Sequence, residues 1–93
     1  MYLMISTYLA PLDEVDRVRD AHLAFVGELE QAGVLVSAGR QDPPVGGVIL
    51  LNVDTEAEAL ELIAPDPYIL QGVAEYQATS WKPTRGVLVN WKP

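Results

Sequence analysis

Strand-like and helix-like segments follow one another along this chain in the order β-α-β-β-α-β, and no other feature constrains its fold as strongly. Runs of β-branched and aromatic residues predict strands, and apolar residues at helical spacing predict helices. The order predicts an α+β ferredoxin-like sandwich, with both helices on one face of an antiparallel sheet. The predicted strands are Tyr2 to Tyr8, Val34 to Ala38, Val48 to Val53 and Val73 to Trp81, and the helices run from near Asp13 to Gly33 and between Thr55 and Pro65.

The predicted helices end at residues that commonly start or stop a helix. Gly33 suits the left-handed conformation in which many helices terminate. Thr55 and Glu58 have the spacing of a capping box, so the second helix begins there, and Pro65 ends it. The tripeptide Asp66-Pro67-Tyr68 that follows predicts a turn or a single helical turn.

The chain continues beyond Pro83 with a further strand-like segment. The apolar run from Gly86 to Trp91 predicts one more strand at the C-terminal end. We expect one domain over residues 1–93, with a core to about residue 83 and an extension over 84–93. The extension would pair with a partner subunit or close over a pocket.

The third predicted strand is apolar on both sides, from Val48 to Leu51. With both helices on one face of the sheet, the other face is bare, and apolar side chains there need a cover. A chain of 93 residues also has a thin core, and a second copy is the simplest cover. We therefore expect a homodimer formed through the sheet face, a dimeric α+β barrel, with a higher oligomer left open.

The charge of the chain excludes several classes of partner. A formal net charge of −7 with six Lys and Arg residues leaves no basic stripe for a nucleic-acid backbone, and it disfavours anionic membranes. The N-terminal segment lacks the features of a signal peptide, and no segment has transmembrane length. The absence of cysteine fits a reducing compartment, and we expect a cytoplasmic protein.

His22 is the only histidine, and it lies on the apolar face of the first predicted helix. An imidazole placed among core-facing side chains needs a polar partner. Histidine is also the residue type whose unperturbed pKa, about 6.5, allows proton exchange near neutral pH. His22 is therefore the first catalytic candidate, with a hydrogen-bonded structural histidine as the alternative. The other members of the apolar stripe are Val15, Val18, Phe25 and Leu29.

Asp66 is the candidate partner of His22. It lies just past the end of the second helix, and the split β-α-β arrangement brings that end toward the first helix. A carboxylate there would fix the imidazole tautomer, raise its basicity and stabilise the imidazolium. Ser37 would complete a Ser-His-Asp triad only if it approached the same imidazole beside oxyanion donors, which the sequence does not indicate. A His-Asp dyad is therefore favoured over a triad.

The residues around these positions form short motifs. They are Arg19-Asp20-Ala21-His22-Leu23, Ser37-Ala38-Gly39, and Asp66-Pro67-Tyr68 followed by Gly72-Val73. The combination, up to about Pro83, resembles the YCII-like family of small dimeric α+β barrel proteins. The resemblance implies an active-site His-Asp dyad, which falls on His22 and Asp66. One branch of that family performs dehydrochlorination of a chlorinated hydroxyhydroquinone, and most members have no assigned reaction.

Arg19, three residues before His22, is a candidate ligand for a substrate carboxylate or phenolate. The alternative is a surface ion pair with Asp16 or Asp20. Arg40 departs from the family pattern, in which proline commonly follows the Ala-Gly pair, and it changes the charge and shape expected at the pocket mouth. The other candidate substrate-binding residues are Ser37, Gly39 and Tyr68.

Together with these residues, the family resemblance implies a cofactor-independent lyase or isomerase acting on a small cyclic or aromatic oxygenated compound. His22 would remove a proton, and Asp66 would orient the imidazole and balance its charge. A non-catalytic ligand-binding or assembly domain that uses the same pocket is the alternative. One histidine without cysteine falls short of the usual zinc or iron ligand set, so no metal site is expected.

Overall fold

The first and third strands of the chain lie at the centre of the sheet, as the ferredoxin-like order requires. A computed structural model describes residues 1–93. All strand pairs are antiparallel, and the order across the sheet is β2-β3-β1-β4. The predicted α+β ferredoxin-like class is confirmed. The elements are β1 (Tyr2–Tyr8), α1 (Leu12–Gln31), β2 (Leu35–Arg40), β3 (Gly47–Leu51), α2 (Glu56–Ile63), α3 (Pro67–Leu70) and β4 (Ala74–Ser80).

The helix boundaries follow the predicted signals. Gly33 follows α1 with a φ of +77°, a conformation that residues with a side chain rarely adopt. The Thr55 hydroxyl accepts a hydrogen bond from the Glu58 backbone N–H at 3.2 Å and donates one to the Glu58 carboxylate at 3.0 Å. The predicted single helical turn is α3, with Pro67 in its first turn. None of the helices combines the length and apolarity needed to cross a membrane.

Two separate apolar clusters pack against α1. Phe25 and Leu29, toward its C-terminal end, belong to the larger cluster, and Val15, near its N-terminal end, belongs to the smaller one. His22 lies between them on the same helix face, so a polar site divides the core. The larger cluster is completed by Met4, Ile49, Leu51, Val53, Ala59 and Ile63, and the smaller one by Tyr68, Val73 and Ala74.

A β-bulge in β2 changes the face to which the rest of that strand points. Leu35 pairs with Leu51, but Ser37 pairs with Leu50, the preceding residue of β3. Because successive strand residues face opposite sides, the extra residue directs Ser37 away from the face that Leu35 occupies. The same shift brings Arg40 to the face covered by the helices. The bulge therefore decides which β2 side chains reach the site.

The C-terminal residues lie against the open face of the sheet without forming a strand. The fifth strand predicted over Gly86 to Trp91 is wrong, because Gly86 has a φ of +93° and the residues after it form a turn. Pro83 also lacks the N–H that a continued ladder needs. Trp81 and Leu88 line an apolar depression on the open face.

The open face of the sheet is apolar along the central strands β1 and β3, as the sequence of β3 predicts, whereas β4 presents Glu75, Gln77 and Thr79 on this face. Leu50 is only 5 % exposed, whereas Ile5 on the neighbouring β1 is 37 % exposed. Leu3 and Val48 lie in the same depression as Leu50. The homodimer through this face stays a prediction.

Candidate active site

His22 and Asp66 meet at a cleft between α1 and the sheet. His22 Nδ1 lies 2.8 Å from Asp66 Oδ1, with the imidazole 13 % exposed and the carboxylate fully buried. Because a carboxylate accepts hydrogen bonds, Nδ1 carries the proton of the neutral imidazole, and the lone pair lies on Nε2. Of the two ring nitrogens, only Nδ1 bonds to the protein, and His22 lines the cleft. Nε2 is thus available to accept a proton from a ligand.

Three hydrogen bonds from three elements hold the Asp66 carboxylate. Besides His22 on α1, the backbone N–H of Tyr68 on α3 donates to Oδ1 at 2.9 Å, and the hydroxyl of Tyr76 on β4 donates to Oδ2 at 2.6 Å. Asp66 reaches this position as the cap of α3. Burial and the bond to Asp66 raise the pKa of Tyr76, so its hydroxyl remains a donor.

The ring of Tyr68 stacks on the imidazole of His22. The two centroids are 3.9 Å apart with an interplanar angle of 5°, and Tyr8 meets Tyr68 edge-on at 5.9 Å. Burial raises the pKa of Tyr68, and Tyr8 adds to the increase, whereas Arg40 and Arg19 oppose it. The stack and the Asp66 bond together fix the plane and the direction of the imidazole.

The cleft above the dyad has a volume of about 250 Å³. Its wall is mostly apolar or aromatic, and His22 contributes its only imidazole. Gly39 lies in the wall of the cleft, and its role in substrate binding stays a prediction. The apolar part of the wall includes Leu23, Val26, Ala38, Val48 and Ile49.

Two arginines lie at the cleft, and only one has a partner. Arg40 Nη2 donates to Asp16 Oδ1 at 2.5 Å, and Nε donates to the Tyr8 hydroxyl at 2.9 Å. The bond to Asp16 raises the pKa of Arg40 further above its usual value. Arg19, which lines the same cleft, forms neither an ion pair nor a hydrogen bond. The structure therefore does not contain the ion pair between Arg19 and Asp16 that the sequence offered as the alternative.

Ser37 does not reach the cleft, because the bulge in β2 directs it to the open face of the sheet. The structure therefore brings no Ser-His-Asp triad together. The serine that lines the cleft is Ser6, and its hydroxyl accepts from the Gly47 N–H at 2.7 Å and donates to the Gly47 carbonyl at 3.4 Å. Both of its hydrogen-bonding roles are thus used by the backbone.

Tyr76 is the site residue that the sequence analysis missed. The alternation of β4 places it on the helix-covered face with Ala74 and Ala78. A buried tyrosine hydroxyl needs a hydrogen-bond partner, and this requirement was the signal in the sequence that could have identified Tyr76.

No group of three or more His, Cys, Asp and Glu side chains is arranged as metal ligands would be.

Comparisons with known proteins agree with this fold. The family model of the YCII-related domain matches residues 1–82. A solved structure of 5-chloro-2-hydroxyhydroquinone dehydrochlorinase from Burkholderia phenoliruptrix AC1100, in complex with 2,5-dihydroxybenzoquinone, superposes with a TM-score of 0.70 at 19 % identity, covering 88 % of this chain and 94 % of that chain. At this identity the likeness concerns the fold alone. Among curated proteins the sequence has no match.

Proposed function

The chain belongs to the YCII-related domain family, and we propose that it is an enzyme in which His22 removes a proton from a small cyclic or aromatic oxygenated compound. The observation that carries this proposal is the 2.8 Å bond between His22 Nδ1 and the buried Asp66, at the wall of a cleft. This bond leaves Nε2 of His22 free to act as the base. The reaction class is elimination or isomerisation, without a cofactor.

The dyad supplies the proton acceptor and its counter-charge. Nε2 of the neutral imidazole takes a proton from a carbon or a hydroxyl group of the substrate. The Asp66 carboxylate stabilises the imidazolium that forms, and its bonds from Tyr68 and Tyr76 keep it in place. Since the substrate approaches from the cleft, the apolar wall excludes water around the transferred proton.

The fate of the electron pair separates the two reaction classes. In an elimination, the pair left by the proton forms a new double bond while a leaving group departs with the electrons of its own bond. In an isomerisation, the imidazolium returns the proton to a different atom of the substrate. The structural neighbour is a dehydrochlorinase, and this supports elimination as the first reaction to test here.

The experiment compares the parent protein with His22→Asn. An asparagine amide can still donate to Asp66 but is not a base, so the substitution removes proton transfer while preserving the hydrogen bond. Chloride release from chlorinated hydroxyhydroquinones, and deuterium uptake from D₂O into ring-hydroxylated compounds, are measured by ion chromatography and NMR. Turnover is expected to fall by about 10²- to 10⁴-fold, the usual contribution of a positioned base. Asp66→Asn is expected to cause a smaller loss.

Thermal stability serves as the control for this comparison. A structural histidine predicts that turnover falls only as far as the folded fraction does. If His22 is catalytic, turnover falls while the midpoint of thermal unfolding stays unchanged. If a folded His22→Asn variant turns over substrate at the parent rate, the protein is instead a ligand-binding domain that uses the same cleft.

The proposed enzyme is a homodimer formed through the open face of the sheet. Support comes from the apolar side chains on that face, of which Ile5 is 37 % exposed in the single chain. A second copy that covers these side chains removes their apolar surface from water. This burial stabilises the dimer by about 25 cal/mol for each Å² of apolar surface buried. Such an interface leaves the His22 cleft open, because the cleft lies on the helix-covered side.

A further inference from the structure

The cleft concentrates positive charge in an acidic protein. The chain has six Lys and Arg residues against thirteen Asp and Glu residues, yet Arg19 and Arg40 line the cleft and no acidic residue does. Asp66 lies beneath the imidazole and is fully buried, so it does not face the cleft. The charged side chains of the cleft lining are therefore both arginines, and Asp16 outside the lining pairs with one of them.

Arg19 is half-buried and has no anionic partner. Asp16, the acidic residue one helical turn before it, is engaged by Arg40 instead. Asp20 is exposed and forms no ion pair with it. An unpaired guanidinium in the wall of a cleft can form charge-assisted hydrogen bonds to the anionic group of a ligand.

Arg40 is held at the rim with part of its donor set free. Its Nε bonds to Tyr8 and its Nη2 to Asp16, which leaves Nη1 without a bond. The guanidinium also lies over the Tyr8 ring, 5.5 Å from its centroid. Arg19 and Tyr68 line the same cleft as Arg40.

We propose that Arg19 and Arg40 form an oxyanion-binding site at the cleft mouth, and that the substrate is a single-ring aromatic compound carrying a carboxylate or an ionised phenol. This proposal deepens the proposed function and rests on the same cleft. The volume of about 250 Å³ lies below the usual range for drug-sized ligands and suits one substituted ring. The ring packs against the apolar wall while its anionic oxygen reaches the arginines.

The test uses three probes of similar size at pH 8. They are 4-hydroxybenzoate, which carries a carboxylate, 4-nitrophenol, which is ionised at this pH, and the neutral 4-hydroxybenzyl alcohol. Binding is measured by NMR titration of the parent protein. Charge-assisted hydrogen bonds predict that at least one anion binds about 10- to 100-fold more tightly than the neutral probe. The anion that shows the larger preference identifies which oxyanion the site takes.

Variants locate the preference on the two arginines. Arg19→Gln and Arg40→Gln are each expected to reduce the preference for the anionic over the neutral probe by about tenfold. Arg40→Lys should retain part of this preference, because the positive charge remains. Arg17→Gln is the matched control, since Arg17 is exposed on the same helix and does not line the cleft. The thermal midpoint of each variant is measured beside its affinity. A preference that both folded Gln variants retain in full would overturn the proposal.

Two further outcomes separate this proposal from the catalytic one. If neither anion binds saturably, or if the neutral probe binds as tightly, the oxyanion site is wrong whatever His22 does. Anion binding is also measured in His22→Asn, where the arginine site predicts an unchanged preference. If that preference persists and no compound is turned over by the parent protein, the oxyanion site stands and the proposed catalysis fails.

Discussion

The Tyr76 hydroxyl donates a 2.6 Å hydrogen bond to Asp66 Oδ2, the carboxylate oxygen that His22 does not use. The bond connects β4 to a dyad whose other members lie on α1 and at the start of α3. Because Oδ1 already accepts from His22 and from the Tyr68 N–H, Tyr76 restrains rotation of the carboxylate. Tyr76 therefore helps to hold the Asp66 carboxylate in place against His22.

Tyr76→Phe is expected to destabilise the protein by about 1.5–3 kcal/mol, because it removes a hydrogen bond to a buried carboxylate. The free energy of unfolding is measured by urea denaturation. Tyr2→Phe is the control, since Tyr2 is partly buried but its hydroxyl makes no hydrogen bond within the chain. Equal stability of the two variants would show that the bond from Tyr76 contributes nothing.

The raised pKa of Tyr76 predicts a loss of stability in alkaline solution. Its pKa lies above the value of free tyrosine, about 10, so above that pH the folded protein keeps a proton that the unfolded chain releases. Tyr76 therefore stabilises the fold fully below about pH 10 and progressively less as pH rises. Between about pH 9 and pH 11 this contribution falls by about 1.4 kcal/mol.

Tyr76→Phe isolates this effect, because every other titrating group is shared with the parent protein. The stability difference between the two proteins should narrow by about 1.4 kcal/mol over that pH range, measured by urea denaturation at each pH. Tyr68, whose pKa is also raised, cancels in the difference. A difference that stays constant with pH contradicts the assignment.

The contact between His22 and Asp66 was predictable, because helix periodicity and topology both bring these two residues together. The stripe on α1 fixes the face of His22, and the turn after α2 brings Asp66 to that face. Ser37 was not predictable, since alternation from Leu35 places it on the cleft side and one bulged residue reverses this. The same bulge brings Arg40 to the cleft. An insertion of one residue leaves no clear mark in strand composition.

The C-terminal segment illustrates a second limit of pattern analysis. Val87, Leu88 and Val89 have the composition of a strand, but composition does not provide a neighbouring strand with free hydrogen-bonding groups. In the single chain the segment instead turns at Gly86 and packs on the open face. The edge strands β2 and β4 are open to further pairing, but the segment pairs with neither of them, so its composition alone did not decide its conformation.

Gly46 is expected to tolerate no side chain, because a Cβ there would lie 1.8 Å from the backbone oxygen of Ser6. Gly46→Ala must displace β1 at the wall of the cleft, and we expect a destabilisation of about 3 kcal/mol or more. Gly39→Ala is the matched control, since nothing lies within 4 Å of its added Cβ. It should change stability by less than about 1 kcal/mol. Thermal denaturation of both variants tests the contrast, and equal midpoints would refute it.

The homodimer is tested by placing a charge on each side of the molecule. We expect light scattering at micromolar concentration to show a dimer, with more than about 1,000 Å² buried in total. Ile5→Glu puts an unpaired carboxylate on the open face of the sheet, where desolvation opposes association, so this variant should be monomeric. Leu60→Glu alters an apolar side chain of α2 that is 46 % exposed, and it should remain dimeric. A monomeric parent protein, or an Ile5→Glu variant that still dimerises, would exclude the sheet face as the interface.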